Sequence, residues 1–106
     1  MTNGSGFIDL TGSEIARLIS KKLLSPVEVT QAYLERINRL DPTLNAFITV
    51  CGEEAVSASK RAERAVLSGE PLGILHGVPI GVKDQFDSQG VVTTIGSLSL
   101  ANNIPT

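Results

Sequence analysis

Two helix-start signals standing almost back to back constrain this chain more than anything else in it. Thr11-Gly12-Ser13-Glu14 is a capping box: the Thr11 hydroxyl can accept the Glu14 amide while the Glu14 carboxylate returns to the Thr11 amide. Ser25-Pro26-Val27-Glu28 repeats the pattern, with Pro26 at the first helical position, where its missing N–H costs nothing. An apolar pair flanks each box as a hydrophobic staple, Leu10 with Ile15 and Leu24 with Val29. Ile15, Leu18 and Ile19 give the first helix its apolar stripe, and Lys21 and Lys22 suit the negative end of its dipole. Val29, Ala32, Tyr33, Ile37 and Leu40 recur at helical spacing up to Asp41-Pro42, which is expected to stop the second helix. The prediction is a helical hairpin over residues 9–42, preceded by a loose arm over residues 1–8.

Beyond the hairpin the pattern changes. Leu44 to Val50 is short, β-branched and aromatic, and predicts a strand. Glu53 to Ser68 predicts a third helix, acidic at its start and stopped by Gly69. Its expected buried face is Ala55, Ala58, Ala62, Ala65 and Val66, small enough for close packing on a sheet. A turn at Glu70-Pro71-Leu72-Gly73 leads through Ile74-Leu75 into a second strand, where Val78, Ile80 and Val82 alternate. The fold class is therefore read as α/β. A helical hairpin is followed by strand, helix and strand leading into a mixed sheet, with residues 43–106 as the start of the α/β core.

At 106 residues the chain is the size of one small domain, with 42% hydrophobic and 19% charged residues and a net charge of −2. That composition is globular, and the absence of a basic cluster excludes the electrostatic footprint of a nucleic-acid binder. No apolar run approaches the ~18 residues of a membrane span, and the N-terminus lacks the charged and apolar regions of a secretory signal. Cys51 and His76 are each the only one of their kind, which excludes an internal disulfide and argues against a metal site. A cytoplasmic protein with neither metal nor cofactor is expected.

The alternating run Gly77-Val78-Pro79-Ile80-Gly81-Val82 ends on Lys83-Asp84. Lys83 is the only Lys or Arg after Arg64, so no charged face accounts for it. Strand alternation would set it opposite Val78, Ile80 and Val82, beside Gly81 and Pro79. Burying an ammonium is costly, and a lysine that sheds its proton becomes a base. Two readings stand at this point: a base in a site lined by backbone, or a strand-end lysine paired with Asp84 at the surface.

The residues that follow extend the pattern to GVPIGVKDQFDSQGVVTTIGS, residues 77–97. This string resembles the catalytic-lysine segment of the amidase signature family, which joins G-[IV]-P-[ILV]-x-[VI]-K-D through a loop closing on Gly to T-T-x-G-S. Gln85 departs from the Asn most often found there, which bears on the subfamily. The helices before the segment also resemble the opening of such enzymes, so the resemblance runs from about Asp9 onward. It implies an amide-bond hydrolase with Lys83 as the catalytic base, and with Thr94, Gly96 and Ser97 lining the substrate site. The alternative for Thr93-Thr94 and Gly96-Ser97 is to cap a strand.

The family's mechanism needs two serines besides the lysine: a nucleophile, and a second serine on a cis peptide bond that relays the proton. They lie in segments of the form G-G-S-S-G-G and G-x-D-x-G-G-S, which these residues do not contain. Ser97 and Ser99 are the nearest serines after Lys83, and they follow the family's T-T-x-G-S element. Serine is a poor nucleophile until a base takes its proton, so the lysine alone performs no covalent step. The chain is therefore expected to be an N-terminal fragment of a single amidase domain, inactive alone and requiring the remainder of that domain. The implied partner is a small-molecule amide, with neither nucleic acid nor membrane bound directly, and a homo-oligomer is compatible with it. Family members include the A subunit of tRNA-dependent amidotransferases, which works with partner subunits.

The smaller motifs read more plainly. Asp84 paired with Lys83 would oppose a base role, so Asp84 is expected to point away and bind loop amides. His76 reads as a turn or packing residue, Pro79 as a rigid strand-edge residue and Cys51 as an inert buried thiol. The spacing of Gly77, Gly81 and Gly90 fits neither a Walker loop nor a dinucleotide fingerprint. The competing function is a non-catalytic helical-hairpin assembly domain in which Lys83 is incidental.

Overall fold

A computed structural model describes residues 6–106. Three helices and one short 3-10 turn form its regular structure: α1 (Gly12–Ser20), α2 (Pro26–Leu44), α3 (Gly52–Leu67) and the turn Leu98–Leu100. The backbone divides into two compact units. One joins the described part of Met1–Leu44 to Cys51–Pro79, and the other joins Asn45–Val50 to Ile80–Thr106.

The first unit holds all three helices. At α1 the Thr11 hydroxyl accepts the Glu14 amide at 3.1 Å, and Glu14 Oε1 accepts the Thr11 amide at 3.3 Å, closing the capping box. At α2 the Ser25 hydroxyl accepts the amides of Val27 at 3.1 Å and Glu28 at 3.4 Å. Its own proton goes to Glu63 Oε1 of α3, 2.5 Å away. The N-cap of one helix is thereby tied to the flank of another.

All three helices end on a left-handed residue. Lys22 after α1 has φ 62°, Asn45 after α2 has φ 53° and Gly69 after α3 has φ 75°. After α1 the Leu23 amide bonds the Leu18 carbonyl at 2.9 Å and the Lys22 amide bonds Ile19 at 3.0 Å. After α3 the Glu70 amide bonds Ala65 at 3.1 Å and the Gly69 amide bonds Val66 at 3.2 Å. These are the paired bonds of a Schellman stop, built once on glycine and once on lysine. Pro42 does not stop α2, which runs on to Leu44. In the last turn a proline costs a single helical bond, and the turn away from the helix comes at Asn45.

The core of this unit is Phe7, Ile15, Ile19, Leu24, Val29 and Val66, so both staples are buried or packed against it. The arm expected over residues 1–8 lies, for residues 1–5, outside the described residues. Its remainder is not loose: Phe7 is only 2% exposed and its ring sits 5.8 Å from that of Tyr33, tilted by 53°. α3 packs along α2, where a sheet was expected. Its buried residues are Ser59 and Val66, two turns apart on one stripe, while Ala58 of the expected face is exposed. The buried Ser59 hydroxyl donates to the Val56 carbonyl at 2.6 Å, which removes the cost of sinking it. His76 Nε2 donates to the Ala62 carbonyl at 2.9 Å and pins the 74–77 turn to α3, a packing role as expected.

The strands require correction. Among the described residues the only β pairing is an isolated bridge between Ser88 and Val91. Leu44 belongs to α2, residues 45–50 are exposed, and residues 78–83 form no ladder. Ile80 and Val82 are 77% and 57% exposed, the reverse of a half-buried strand. Alternation marks a strand only where a neighbouring backbone lies alongside to take its amides and carbonyls. The helical part of the α/β reading is present here, and the strand-helix-strand and sheet are not.

Candidate functional site

The second unit carries Lys83, Thr94, Gly96 and Ser97, and its geometry is set by backbone bonds between loops. The Thr93 amide bonds the Asn103 carbonyl at 2.8 Å, and Asn103 Nδ2 returns to the Thr93 carbonyl at 3.0 Å. The Gly90 amide bonds the Pro105 carbonyl at 2.9 Å. Thr93, 2% exposed, donates its hydroxyl to the Val91 carbonyl at 3.3 Å, so it is a packed structural residue. Nothing in the sequence singled out Asn103; its pairing with Thr93 spans ten residues of irregular chain and leaves no local pattern.

Lys83 is exposed. Its carbonyl closes a tight turn by accepting the amides of Gln85 at 2.7 Å and Phe86 at 3.2 Å. The next residue is anchored three times. Asp84 Oδ1 accepts the Thr94 amide at 2.7 Å, Asp84 Oδ2 accepts the Thr94 hydroxyl, and the Asp84 carbonyl accepts the Ile95 amide at 2.9 Å. The Thr94 hydroxyl, followed by the Thr94 amide, holds the Asp84 carboxyl below its ordinary range; the Gly96 and Ile95 amides add to this and partial desolvation opposes it. The carboxylate thus stays charged and is spent on Thr94, as expected of an Asp84 that leaves Lys83 alone.

Thr94 to Ser97 is itself a turn. The Ser97 amide bonds the Thr94 carbonyl at 2.9 Å, and the two residues between, Ile95 and Gly96, have φ 54° and 73°. Two positive φ values in succession belong to a type I′ turn, which usually takes Asn and Gly; Ile95 holds a left-handed conformation that a β-branched residue rarely adopts. The Gly96 amide donates to Thr94 Oγ1 at 3.2 Å, and the hydroxyls of Ser97 and Ser99 share a bond of 2.7 Å. Lys83 and the Thr94–Ser97 turn are therefore linked through Asp84. Among the described residues no cluster of His, Cys, Asp and Glu could hold a metal. Cys51 is half-buried at the start of α3, more open than the buried thiol expected. No described helix is long and apolar enough to cross a membrane.

The family model for Amidase matches residues 28–106, which include the whole lysine segment. The chain belongs to the amidase family. It is 42% identical over 93 residues to the A subunit of the glutamyl-tRNA(Gln) amidotransferase of Trichodesmium erythraeum, across 88% of this chain and 19% of that protein. The corresponding subunit from Pelobacter propionicus is 43% identical over 97 residues, across 92% of this chain and 20% of the relative. The crystal structure of a bacterial aryl acylamidase of the amidase signature enzymes superposes with a TM-score of 0.84 at 34% identity, across 91% of this chain and 20% of that one. The chain thus spans about a fifth of the length of the relatives it matches.

Proposed function

We propose that this chain is the N-terminal segment of an amide-bond hydrolase in which Lys83 is the general base of a Ser-Ser-Lys triad. One observation carries the reading: Lys83 and the T-T-x-G-S turn, joined in the family's motif, are also joined here by the bonds of Asp84 to Thr94 and Ile95. The base takes the proton of the nucleophilic serine through the second serine, the acyl-enzyme forms, and water releases it. Both of those serines belong to the part of the domain beyond these residues. The Thr94–Ser97 turn lines the amide site, with Gly96 and Ser97 facing the substrate and Thr94 holding their backbone.

Residues 1–106 form one part of a single amidase domain, and the remaining four-fifths of the fold cover the exposed Ile80, Val82, Phe86 and Leu98. Large apolar side chains in such numbers are seldom left to water in a finished fold, which supports this reading over a self-sufficient assembly module. The substrate is a small amide and the compartment the cytoplasm. The amidotransferase relatives favour a branch that works with partner subunits; the aryl acylamidase favours a free-standing hydrolase.

The test is amide turnover by the chain alone and by the intact enzyme. The chain alone should release no product from a simple aryl amide, and the intact enzyme should do so until Lys83→Ala abolishes it. Turnover by the 106-residue chain, or an intact enzyme indifferent to Lys83→Ala, would overturn the proposal.

A further inference from the structure

Three bonds converge on the residue after Lys83, and all three come from Thr94 and Ile95. Only one peptide unit separates this anchor from the Lys83 backbone, whose carbonyl is in turn fixed by the amides of Gln85 and Phe86. The backbone on the C-terminal side of the Lys83 Cα is therefore held at two successive carbonyls and one side chain, which restricts the direction in which the lysine leaves it. Thr94 has no hydroxyl proton to spare for a ligand: Oγ1 donates its one proton to Asp84 Oδ2 and also accepts the Gly96 amide. At the same place the chain tolerates Ile95 at φ 54°, a conformation that disfavours a β-branched side chain and persists only where its surroundings over-determine it. Ile95 is 62% exposed, so core packing does not compensate for the strain. Strain, a committed hydroxyl proton and a charged acceptor are concentrated next to an exposed lysine, where they add little to a hydrophobic core.

We infer that Asp84 and Thr94 are positioning residues: their latch holds the peptide after Lys83 and thereby aims the lysine. The inference rests on the reading of Lys83 as the base. It assigns Thr94 to orienting that base, its hydroxyl proton being committed to Asp84 and not to the substrate.

The experiment has two arms that separate the latch from the base. In the first, backbone 15N relaxation is measured on the intact enzyme and its variants. Thr94→Val, which keeps the shape and removes the hydroxyl, should lower the heteronuclear NOE from Lys83 to Phe86 while leaving α1 to α3 unchanged. Thr94→Ser should keep it, and Asp84→Ala should lower it as Thr94→Val does. Unchanged order at Lys83 in both Thr94→Val and Asp84→Ala would overturn the latch. In the second arm the intact enzyme is assayed on one aryl amide. Thr94→Val should lower kcat by about ten- to a hundredfold, more than it raises KM through the lost Gly96 bond, because misplacing a reacting group by about an ångström costs rates of that order. Thr94→Ser should recover most of it. An intact enzyme killed by Lys83→Ala but indifferent to Thr94→Val would overturn the positioning role alone. One indifferent to Lys83→Ala would overturn the base itself, whatever the relaxation data show.

Discussion

Gly77 and Gly69 separate the conformational cost of a side chain from its packing cost. Both have positive φ, 84° and 75°, so an added Cβ is strained at either. The left-handed conformation costs an L-residue about 1–2 kcal/mol. Replacing glycine also narrows the unfolded ensemble, which returns about 0.4–1 kcal/mol. At Gly69 nothing lies within 4 Å of the new atom, so Gly69→Ala should destabilise by roughly 1 kcal/mol. At Gly77 the Cβ would lie 3.1 Å from Ile19 Cδ1 and 3.2 Å from Pro26 Cβ and Cγ, both residues being buried. Overpacking of this kind adds about 1–3 kcal/mol, which puts Gly77→Ala at roughly 2–4 kcal/mol. The assay is urea unfolding followed by circular dichroism at the helical band, which reports the unit that contains all three helices. Ile19→Val deletes the Cδ1 atom, so in its background the Gly77→Ala penalty should shrink. Equal losses for Gly77→Ala and Gly69→Ala, or no coupling to Ile19→Val, would refute the packing reasoning.

Three further outcomes follow from the same structure. Ser25→Ala removes both the α2 cap and the bond to Glu63, and should destabilise by about 1–2 kcal/mol in the same urea assay. Lys22→Gly places glycine in the left-handed stop that Gly69 already occupies after α3, and should raise stability by up to ~1 kcal/mol, read as a shift in urea midpoint. The Asp84 carboxyl is held below its ordinary value, so its contribution to loop order is complete above the unfolded-state value. It is lost only as the pH falls through the lower folded value. The Thr94 amide resonance should accordingly titrate at more acidic pH than an unpaired Asp, and Asp84→Asn should abolish that transition.

What the sequence disclosed divides along the range of the interaction. The Thr11 capping box, the Ser25 cap and the Leu24–Val29 staple are each complete within a few residues, and all three are present. The stop after Gly69 is equally local, whereas Pro42 misplaced the end of α2 because a proline near a helix terminus disturbs little. The α3 face was offset because Ser59 satisfies its hydroxyl within the helix, which composition does not reveal. β-branched and aromatic composition predicts a strand at 44–50 and alternation one at 78–83, but a strand is a relation between two backbones, and no ladder forms among the described residues. Of the candidate site, Lys83, Asp84 and the Thr94–Ser97 turn stood out as a motif. The Asn103 clamp on Thr93 did not, because loop-to-loop pairing has no period to detect.

The central claim is that Lys83 accepts a proton, and replacing it with arginine tests that most directly. An amine can be a base; a guanidinium keeps its proton and cannot. Lys83→Arg preserves charge and length, so a surface or substrate-anchoring lysine would survive the exchange in large part. The measurement is kcat/KM of the intact enzyme on one aryl amide for wild type, Lys83→Ala and Lys83→Arg, with folding checked by circular dichroism. General-base action predicts that arginine is as damaging as alanine. Retention of more than about a tenth of wild-type kcat/KM by Lys83→Arg, a loss under ~1.4 kcal/mol, would contradict it.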